Sequence, residues 1–359
     1  MEKFTDFYSA TVLGTGNNNG INLKENSEYV FKSYYKLRSE GKETFKLFFI
    51  NEVESTGNFR IGKKGDSYTI EKAYAAVSPD KENEENIVEI TFNNEKGKKV
   101  LVGERFSTDK FELFHKREDY LVLTFVVKTK GRAFLPATNE SASTGRIFLN
   151  GNEIWADGFC LRPAFIGVEK NKSKTVAFMG DSITQGTRTT PDKYEAWTHR
   201  IGMSLEEDIS FWNIGMGWSR AYDGAENGVL IEKGAMCDEA FVCFGVNDLR
   251  SGGRSAQMVI SDLEKIRDNL ISRNENIIVH FLTVPPFNMS EYEEAQRKEI
   301  NAFVRTQPGF FDIAACLEKD ELGTVKEEYM ANKDDCHPNG LAGEAVFKSF
   351  LSWRRENQW

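Results

Sequence analysis

The feature that most constrains the fold of this chain is a change in hydrophobic pattern near residue 170. Before that point, apolar residues alternate with polar ones over short segments, as in residues 29–37, 45–49 and 88–92. Clusters of turn-forming residues separate the segments, for example at residues 150–152. Short alternating strands at this spacing predict an antiparallel β-sandwich in which each sheet buries one face.

After residue 170, short apolar runs alternate with stretches of helical periodicity. The runs predicted as strands cover residues 174–179, 209–214, 239–244, 277–284 and 310–314. The predicted helices include the recurrence of Val259, Leu263, Ile266 and Leu270 and the stretches 290–305 and 341–353. Strands that alternate with helices predict a parallel sheet covered on both faces, which is a three-layer α/β/α architecture.

The change in pattern also predicts how the chain is divided. A length of 359 residues exceeds that of one ordinary domain, so two domains are expected. We predict a β-sandwich domain over residues 1–168 and an α/β/α domain over residues 169–359.

Composition disfavours several classes of function. A net charge of −9 argues against a nucleic-acid partner, because neutralising phosphates requires a basic face. No apolar run approaches the roughly 18 residues needed to cross a bilayer, so no membrane span is expected. The N-terminus shows no basic-then-apolar signal peptide, which predicts a cytoplasmic protein, with secretion as the alternative. Five scattered cysteines without a C-x-x-C pair argue against a zinc site or a disulfide framework, and no cofactor is expected.

The distinctive polar residues follow the predicted parallel strands, where ligands of such sheets bind. Ser182 ends the first run, at a strand-to-helix turn that exposes its hydroxyl near a helix N-terminus. A serine hydroxyl is a weak nucleophile without a base, and His337, just before the last predicted helix, can supply one. An aspartate three residues earlier, Asp334, can reach the Nδ1–H of that histidine; Asp335 is the alternative partner.

These residues resemble the SGNH (GDSL) hydrolases, block by block and in the same order. The matching blocks are Gly180-Asp181-Ser182, Asn213-Ile214-Gly215-Met216-Gly217, Gly245-Val246-Asn247-Asp248 and Asp334-x-x-His337-Pro338. The likeness covers about residues 174–355, and it implies a flavodoxin-like parallel sheet. Residues 45–51 bear a fainter likeness to the β-sandwich domains, jelly-roll-like in type, that precede GDSL hydrolases, including some carbohydrate esterases.

The resemblance implies a role for each block. Ser182 is expected as the nucleophile, His337 as the base and Asp334 as the residue that orients the base. The second block is expected to supply an oxyanion-hole N–H from Gly217, and the side chain of Asn247 to complete the hole with the Ser182 N–H.

The second block departs from the family pattern. The family often places the key glycine five residues after the asparagine, and this chain has Trp218 there. Gly217 is preferred because it needs only a one-residue slip, with Gly215 and Trp218 as alternatives. A backbone N–H can come from any residue except proline, so the hole need not be lost.

Each of these residues also has a simpler interpretation. Ser182 and Asn247 could serve only as cap or turn residues. Cys336, beside the histidine, fits a packing role better than a nucleophilic one. Ser219 follows a glycine and a tryptophan, but the final glycine of a nucleophile elbow is missing.

Four arginines, Arg188, Arg220, Arg250 and Arg254, follow the first three blocks, where active-site loops are expected. Together with Trp218, Arg220 and Arg250 are candidate contacts for a polar or anionic acyl acceptor. Solvated loop arginines and a packed tryptophan are the alternative.

The resulting functional prediction is a serine esterase that releases short acyl groups, first of all acetyl, from a small-molecule or glycan ester. No long apolar lid is visible in the sequence, which favours a short acyl group. The alternatives are a lysophospholipase or thioesterase on the same triad, and a carbohydrate-binding protein without catalysis. The sequence leaves the oligomeric state open.

Overall fold

The computed structural model describes residues 6–13, 17–54, 62–169, 174–226, 228–319 and 323–359. These residues divide into two compact units. The first comprises the described residues up to 174 together with 206–212, and the second comprises 175–205 and 213–359. The boundary between residues 168 and 169 remains a prediction.

The first unit is built from antiparallel strands. They are β1 Phe7–Ser9, β2 Asn19–Leu23, β3 Ser27–Lys36, β4 Gly41–Ile50, β5 Glu52–Val53, β6 Lys63–Lys64, β7 Tyr68–Ser78, β8 Glu85–Glu89, β9 Lys98–Val100, β10 Arg105–Ser107, β11 Phe111–His115, β12 Tyr120–Thr129, β13 Ala133–Leu149, β14 Asn152–Cys160 and β15 Phe165–Glu169. One sheet has the order β1-β15-β4-β10, with β11 also on β4. The other has the order β14-β13-β3-β12-β7-β8, with β2 on β13 and β9 on β7.

Alternating burial along these strands explains why the two sheets pack. In β4, the side chains of Phe45, Leu47 and Phe49 are buried while their neighbours are partly exposed. Phe49 meets Phe125 of the other sheet edge to face, with ring centroids 5.5 Å apart. The expected antiparallel, β-rich N-terminal region is therefore confirmed.

The second part of the chain contains a parallel sheet of four strands in the order β17-β16-β18-β19. The strands are β16 Lys174–Gly180, β17 Ile209–Asn213, β18 Glu239–Cys243 and β19 Ile278–Phe281. β16 pairs with β18 and β18 with β19, both in parallel register. β17 and β18 are buried throughout and β16 is buried except at its first residue, as expected for strands covered on both faces.

Helices connect the parallel strands, as the periodicity predicts. They are α1 Ser182–Gln185, α2 Trp197–Ser204, α3 Ala221–Ala225, α4 Val229–Ala235, α5 Val246–Arg250, α6 Ala256–Arg273, α7 Glu291–Val304, α8 Ile313–Leu317 and α9 Gly340–Glu356. A hairpin of β20 Met330–Asn332 and β21 Asp335–Pro338 precedes α9. Among the described residues, no helix combines the length and the apolar character needed to cross a membrane.

The fifth predicted strand, at residues 310–314, is not a strand of the sheet. Only one parallel bridge forms there, between Leu282 and Phe311. The side chain of Asp312 accepts a hydrogen bond from the Ala315 N–H and caps α8, so the chain turns into a helix immediately after the bridge.

Substitutions on helix α6 can measure how much its buried apolar face contributes to the free energy of unfolding. Leu270 is fully buried, whereas Met258 on the same helix is half exposed. We expect Leu270→Ala to lower the free energy of unfolding by about 2–5 kcal/mol, because it removes buried methyl groups and leaves a cavity. Met258→Ala is the matched control and is expected to change it by less than about 0.5 kcal/mol. Urea unfolding followed by circular dichroism measures both, and equal effects would contradict the assignment of the buried face.

Candidate active site

Ser182 lies at the carboxyl end of β16, where the chain turns into the short helix α1. The helix cap is Asp181, whose carboxylate accepts a hydrogen bond of 2.9 Å from the Ile183 N–H. Gly186, at φ +95°, ends the helix in the left-handed conformation that favours glycine. The hydroxyl of Ser182 is thus not used as a cap, and it lies 2.9 Å from Nε2 of His337.

The imidazole of His337 is held on three sides. Its Nε2 faces the Ser182 hydroxyl, and its Nδ1 lies 2.5 Å from Oδ1 of Asp335. The ring of Phe287 packs edge to face against it, with centroids 5.1 Å apart. Serine, histidine and aspartate therefore form one continuous chain of contacts.

The structure corrects the expected partner of this histidine: it is Asp335, not Asp334. Asp335 and His337 lie two residues apart on β21, and residues at that spacing project from the same face of a strand. Asp334 lies in the turn before the strand, where its side chain is exposed and its N–H donates to Asn332. The three-residue spacing would suit an irregular loop, but the chain is extended here.

Asp335 also has a cationic neighbour, Arg188. Nε of Arg188 lies 2.9 Å from its Oδ2, while Oδ1 faces His337. Burial opposes ionisation of this carboxyl, but hydrogen bonds with His337 and the charge of Arg188 outweigh it and hold the pKa of Asp335 below its usual range. The carboxylate thus remains charged beside the histidine.

The loop after β17 was expected to offer the N–H of Gly217, but that N–H is already occupied. It donates to Oε1 of Gln185 at 2.8 Å, and the N–H of Gly215 donates to Oδ1 of Asn213 at 3.0 Å. Three further N–H groups of this loop donate to backbone carbonyls: that of Ile214 to Phe178, that of Met216 to Gly180 and that of Ser219 to Met216. Within the described part of the chain, the N–H of Trp218 has no protein acceptor.

Trp218 has a backbone conformation that favours glycine. Its φ is +71°, in the left-handed region that few residues other than glycine adopt. Its side chain is 58% exposed, whereas Gly217 and Ser219 on either side are buried. The tryptophan therefore presents its side chain at the surface of this loop.

Asn247 is the second residue of α5, the short helix that follows β18. Its Nδ2 donates a hydrogen bond of 3.0 Å to the carbonyl of Ser219, which ties the third block to the loop of the second. An amide nitrogen carries two hydrogens, so one donor of Asn247 remains for another acceptor.

The four loop arginines differ in their partners. Arg220, a predicted substrate contact, makes a bidentate contact with Asp223, both distances being 2.9 Å. Arg254 pairs with Asp262 and lies 3.5 Å from Asp248, and Arg188 pairs with Asp335. Arg250 is exposed and lies over the ring of Phe287, 5.1 Å from its centroid.

Two residues of the site were missed by sequence reasoning. Gln185 lies inside the first block and holds the second-block loop through its side chain. Phe287 follows β19, the fourth parallel strand, so the rule that sites lie at the carboxyl ends of strands could have found it. Among the described residues, no cluster of three or more His, Cys, Asp or Glu side chains could hold a metal ion.

Comparison with known families decides the class of this site. Residues 178–343, a little under half of the chain, match the model of the GDSL-like lipase/acylhydrolase family. The chain contains a GDSL-like domain. Since that family consists of lipases and acylhydrolases, the GDSL-like domain is a carboxylic ester hydrolase.

Several solved structures also resemble the chain. A lipolytic G-D-S-L family protein from Veillonella parvula is 20% identical, with a TM-score of 0.41 over 50% of this chain and 96% of that one. A family two carbohydrate esterase from Clostridium thermocellum, in complex with cellohexaose, is 10% identical, with a TM-score of 0.42 over 98% of both chains. One from Cellvibrio japonicus is 10% identical, with a TM-score of 0.42 over 99% and 95%. No curated protein matches the sequence.

Two residues of the motif blocks in the GDSL-like domain, Asp181 and Asp248, have buried carboxyl groups. Burial raises the pKa of Asp181 to about 7, although the N–H of Ile183 opposes the shift. Burial likewise raises the pKa of Asp248 to about 6, against the N–H groups of Ala221 and Tyr222. Each carboxyl is a structural acceptor for backbone groups at the start of a helix.

The raised pKa of Asp181 predicts a pH-dependent cost to stability. The unfolded carboxyl ionises near its ordinary value of 3.8, whereas the folded one binds its proton up to about pH 7. Stability contributed by this group therefore falls as the pH rises from about 4 to about 7. Asn at this position keeps the acceptor and cannot ionise. The difference in free energy of unfolding between Asp181→Asn and wild type should therefore increase in favour of the variant by about 1–3 kcal/mol from pH 5 to pH 8.

Urea unfolding at both pH values measures this gain. Asp268→Asn, at an exposed position of α6, controls for the loss of one negative charge. A difference between Asp181→Asn and wild type that does not change with pH would contradict the assignment.

Proposed function

We propose that this protein is a serine esterase that removes short acyl groups, acetyl in particular, from the hydroxyls of a carbohydrate. Ser182 is the nucleophile, His337 the general base and Asp335 the carboxylate that orients the base. The observation that carries the proposal is the continuous contact from Ser182 Oγ to His337 Nε2, at 2.9 Å, and from His337 Nδ1 to Asp335, at 2.5 Å. We further propose residues 1–168 as an accessory domain and 169–359 as the catalytic domain.

The first step forms an acyl-enzyme. Oγ of Ser182 attacks the ester carbonyl carbon while Nε2 of His337 takes the hydroxyl proton. The negative charge of Asp335 stabilises the imidazolium that results and keeps the Nδ1–H directed toward itself. The imidazolium then gives its proton to the departing alcohol oxygen as the carbon–oxygen bond breaks.

The oxyanion of the tetrahedral intermediate needs donors that are fixed before the reaction begins. We assign the N–H of Ser182, the N–H of Trp218 and the remaining Nδ2–H of Asn247. Support for Trp218 comes from the hydrogen bonds of its neighbours, because Gly215 and Gly217 both donate within the protein. Gln185 positions the loop by accepting from Gly217.

The second step releases the acid. His337 removes a proton from water as that water attacks the acyl-enzyme carbonyl, and the same donors hold the second oxyanion. The imidazolium returns its proton to Ser182 Oγ when the acid leaves, so the enzyme is regenerated without any cofactor in the steps assigned here.

A short acyl group and a carbohydrate acceptor are inferred from the surroundings of the triad. The sequence contains no long apolar segment that could cover an extended acyl chain. The exposed indole of Trp218, on the same loop as the proposed oxyanion donor, offers a flat face suited to a sugar ring.

Hydrolysis of p-nitrophenyl esters from acetate to long-chain acyl groups tests this proposal. We expect turnover to be highest for acetate and to be lost in Ser182→Ala. Ser219→Ala removes a buried hydroxyl that has no partner among the described residues, and it should retain turnover. Rates that rise with acyl length would favour a lysophospholipase or thioesterase. Activity that survives Ser182→Ala would overturn the assigned nucleophile, and glycan binding without turnover would favour a binding protein.

The choice between the two adjacent aspartates gives a second test. Asp335→Asn is expected to lower kcat by about 10²–10⁴, because the neutral amide neither fixes the tautomer of His337 nor stabilises the imidazolium. Asp334→Asn should leave kcat within about twofold, since its exposed side chain lies in the turn. Thermal unfolding of both variants checks that they remain folded, and the reverse order of effects would reinstate Asp334.

A further inference from the structure

Arg250 is the exception among the arginines of the active-site loops. Arg188, Arg220 and Arg254 each pair with a carboxylate. Arg250 is exposed, and within the described ranges of the chain no carboxylate lies in ion-pair distance of it. In a protein of net charge −9, a guanidinium without an acidic partner is available to a ligand.

The position of Arg250 is fixed relative to the triad. It is the last residue of α5, the short helix that begins with Val246 and the proposed oxyanion donor Asn247. Its guanidinium lies 5.1 Å from the centroid of the Phe287 ring, and that ring lies 5.1 Å from the His337 ring. One aromatic ring therefore separates the cation from the base.

The thiol of Cys336 supports the same placement. Burial raises the pKa of this thiol, and the charge of Arg250 acts against that shift. Cys336 directly precedes His337, so the positive charge of Arg250 is felt in the segment that carries the proposed base.

The proposed chemistry decides which part of a substrate this cation would meet. Because His337 protonates the departing oxygen, the alcohol part of the ester lies on the histidine side of the reacting carbon. Phe287 and Arg250 flank that side. We propose that Arg250 binds a carboxylate on the alcohol part of the substrate, so that the enzyme prefers acyl esters of acidic sugars to those of neutral ones.

A carboxylate suits this position better than a more highly charged anion. One guanidinium matches one carboxylate in charge and in its bidentate geometry. The nearby carboxylate of Asp335 is already charged, so a dianion at the same place would meet repulsion. Stacking on Phe287 restricts the guanidinium and lowers the entropy lost when the ligand binds.

The inference rests on the proposed function, and a matched pair of esters tests it separately. The anionic substrate is 4-acetoxybenzoate and the neutral one is 4-acetoxybenzamide, which has nearly the same size. The ratio of kcat/KM for the anionic ester to kcat/KM for the neutral ester should be about two- to tenfold lower in Arg250→Gln than in wild type. The effect is modest because an exposed ion pair is partly screened by solvent. Arg250→Lys should keep part of the ratio, and added salt should lower it in wild type but not in Arg250→Gln.

Arg355→Gln is the matched control. It removes the same charge at the far end of α9, about 22 Å along the helix from its first residue. This variant should leave the ratio of the two substrates unchanged.

Binding to the Ser182→Ala variant, with and without Arg250→Gln, gives a readout that does not depend on turnover. Calorimetry should show tighter binding of 4-acetoxybenzoate than of the amide only when Arg250 is present. Hydrolysis of the neutral ester together with an unchanged ratio in Arg250→Gln would overturn this inference alone. Absence of hydrolysis of both esters would overturn the proposed function, and equal binding of both would overturn the role of Arg250.

Discussion

The contact between Ser182 and His337 joins two points of the chain that are 155 residues apart. Ser182 lies at the junction of β16 and α1, whereas His337 lies on the second strand of the β20–β21 hairpin. Asn339 fixes that hairpin to the helix that follows: its Oδ1 caps α9, and its Nδ2 donates to the carbonyls of Glu328 and Met330. A single side chain thus caps the last helix and is also hydrogen-bonded to the hairpin that carries His337.

The hydrophobic pattern predicted most of the architecture because it records which faces are buried. Alternation identified the antiparallel strands, and helical spacing identified α6, α7 and α9. The segment at residues 310–314 was predicted as a strand because it is apolar, but Asp312 starts a helix there. Burial alone does not distinguish a short strand from the turn before a buried helix.

The candidate site was predicted less completely than the fold, and for different physical reasons. The choice of Asp334 assumed a loop, whereas the extended chain of β21 brings Asp335 and His337 to one face. The choice of Gly217 assumed a free N–H, whereas Gln185 occupies it. These contacts depend on local backbone conformation and on a side-chain contact between distant segments, and neither can be read from residue spacing.

The left-handed conformation of Trp218 has a consequence for how this loop can change. A residue with a β-carbon at φ +71° costs on the order of 1 kcal/mol or more, and glycine would relieve that cost. Glycine would also remove the exposed indole while keeping the backbone donor. Relief of backbone strain and retention of an exposed aromatic surface therefore favour different residues at position 218, and this chain has the aromatic one.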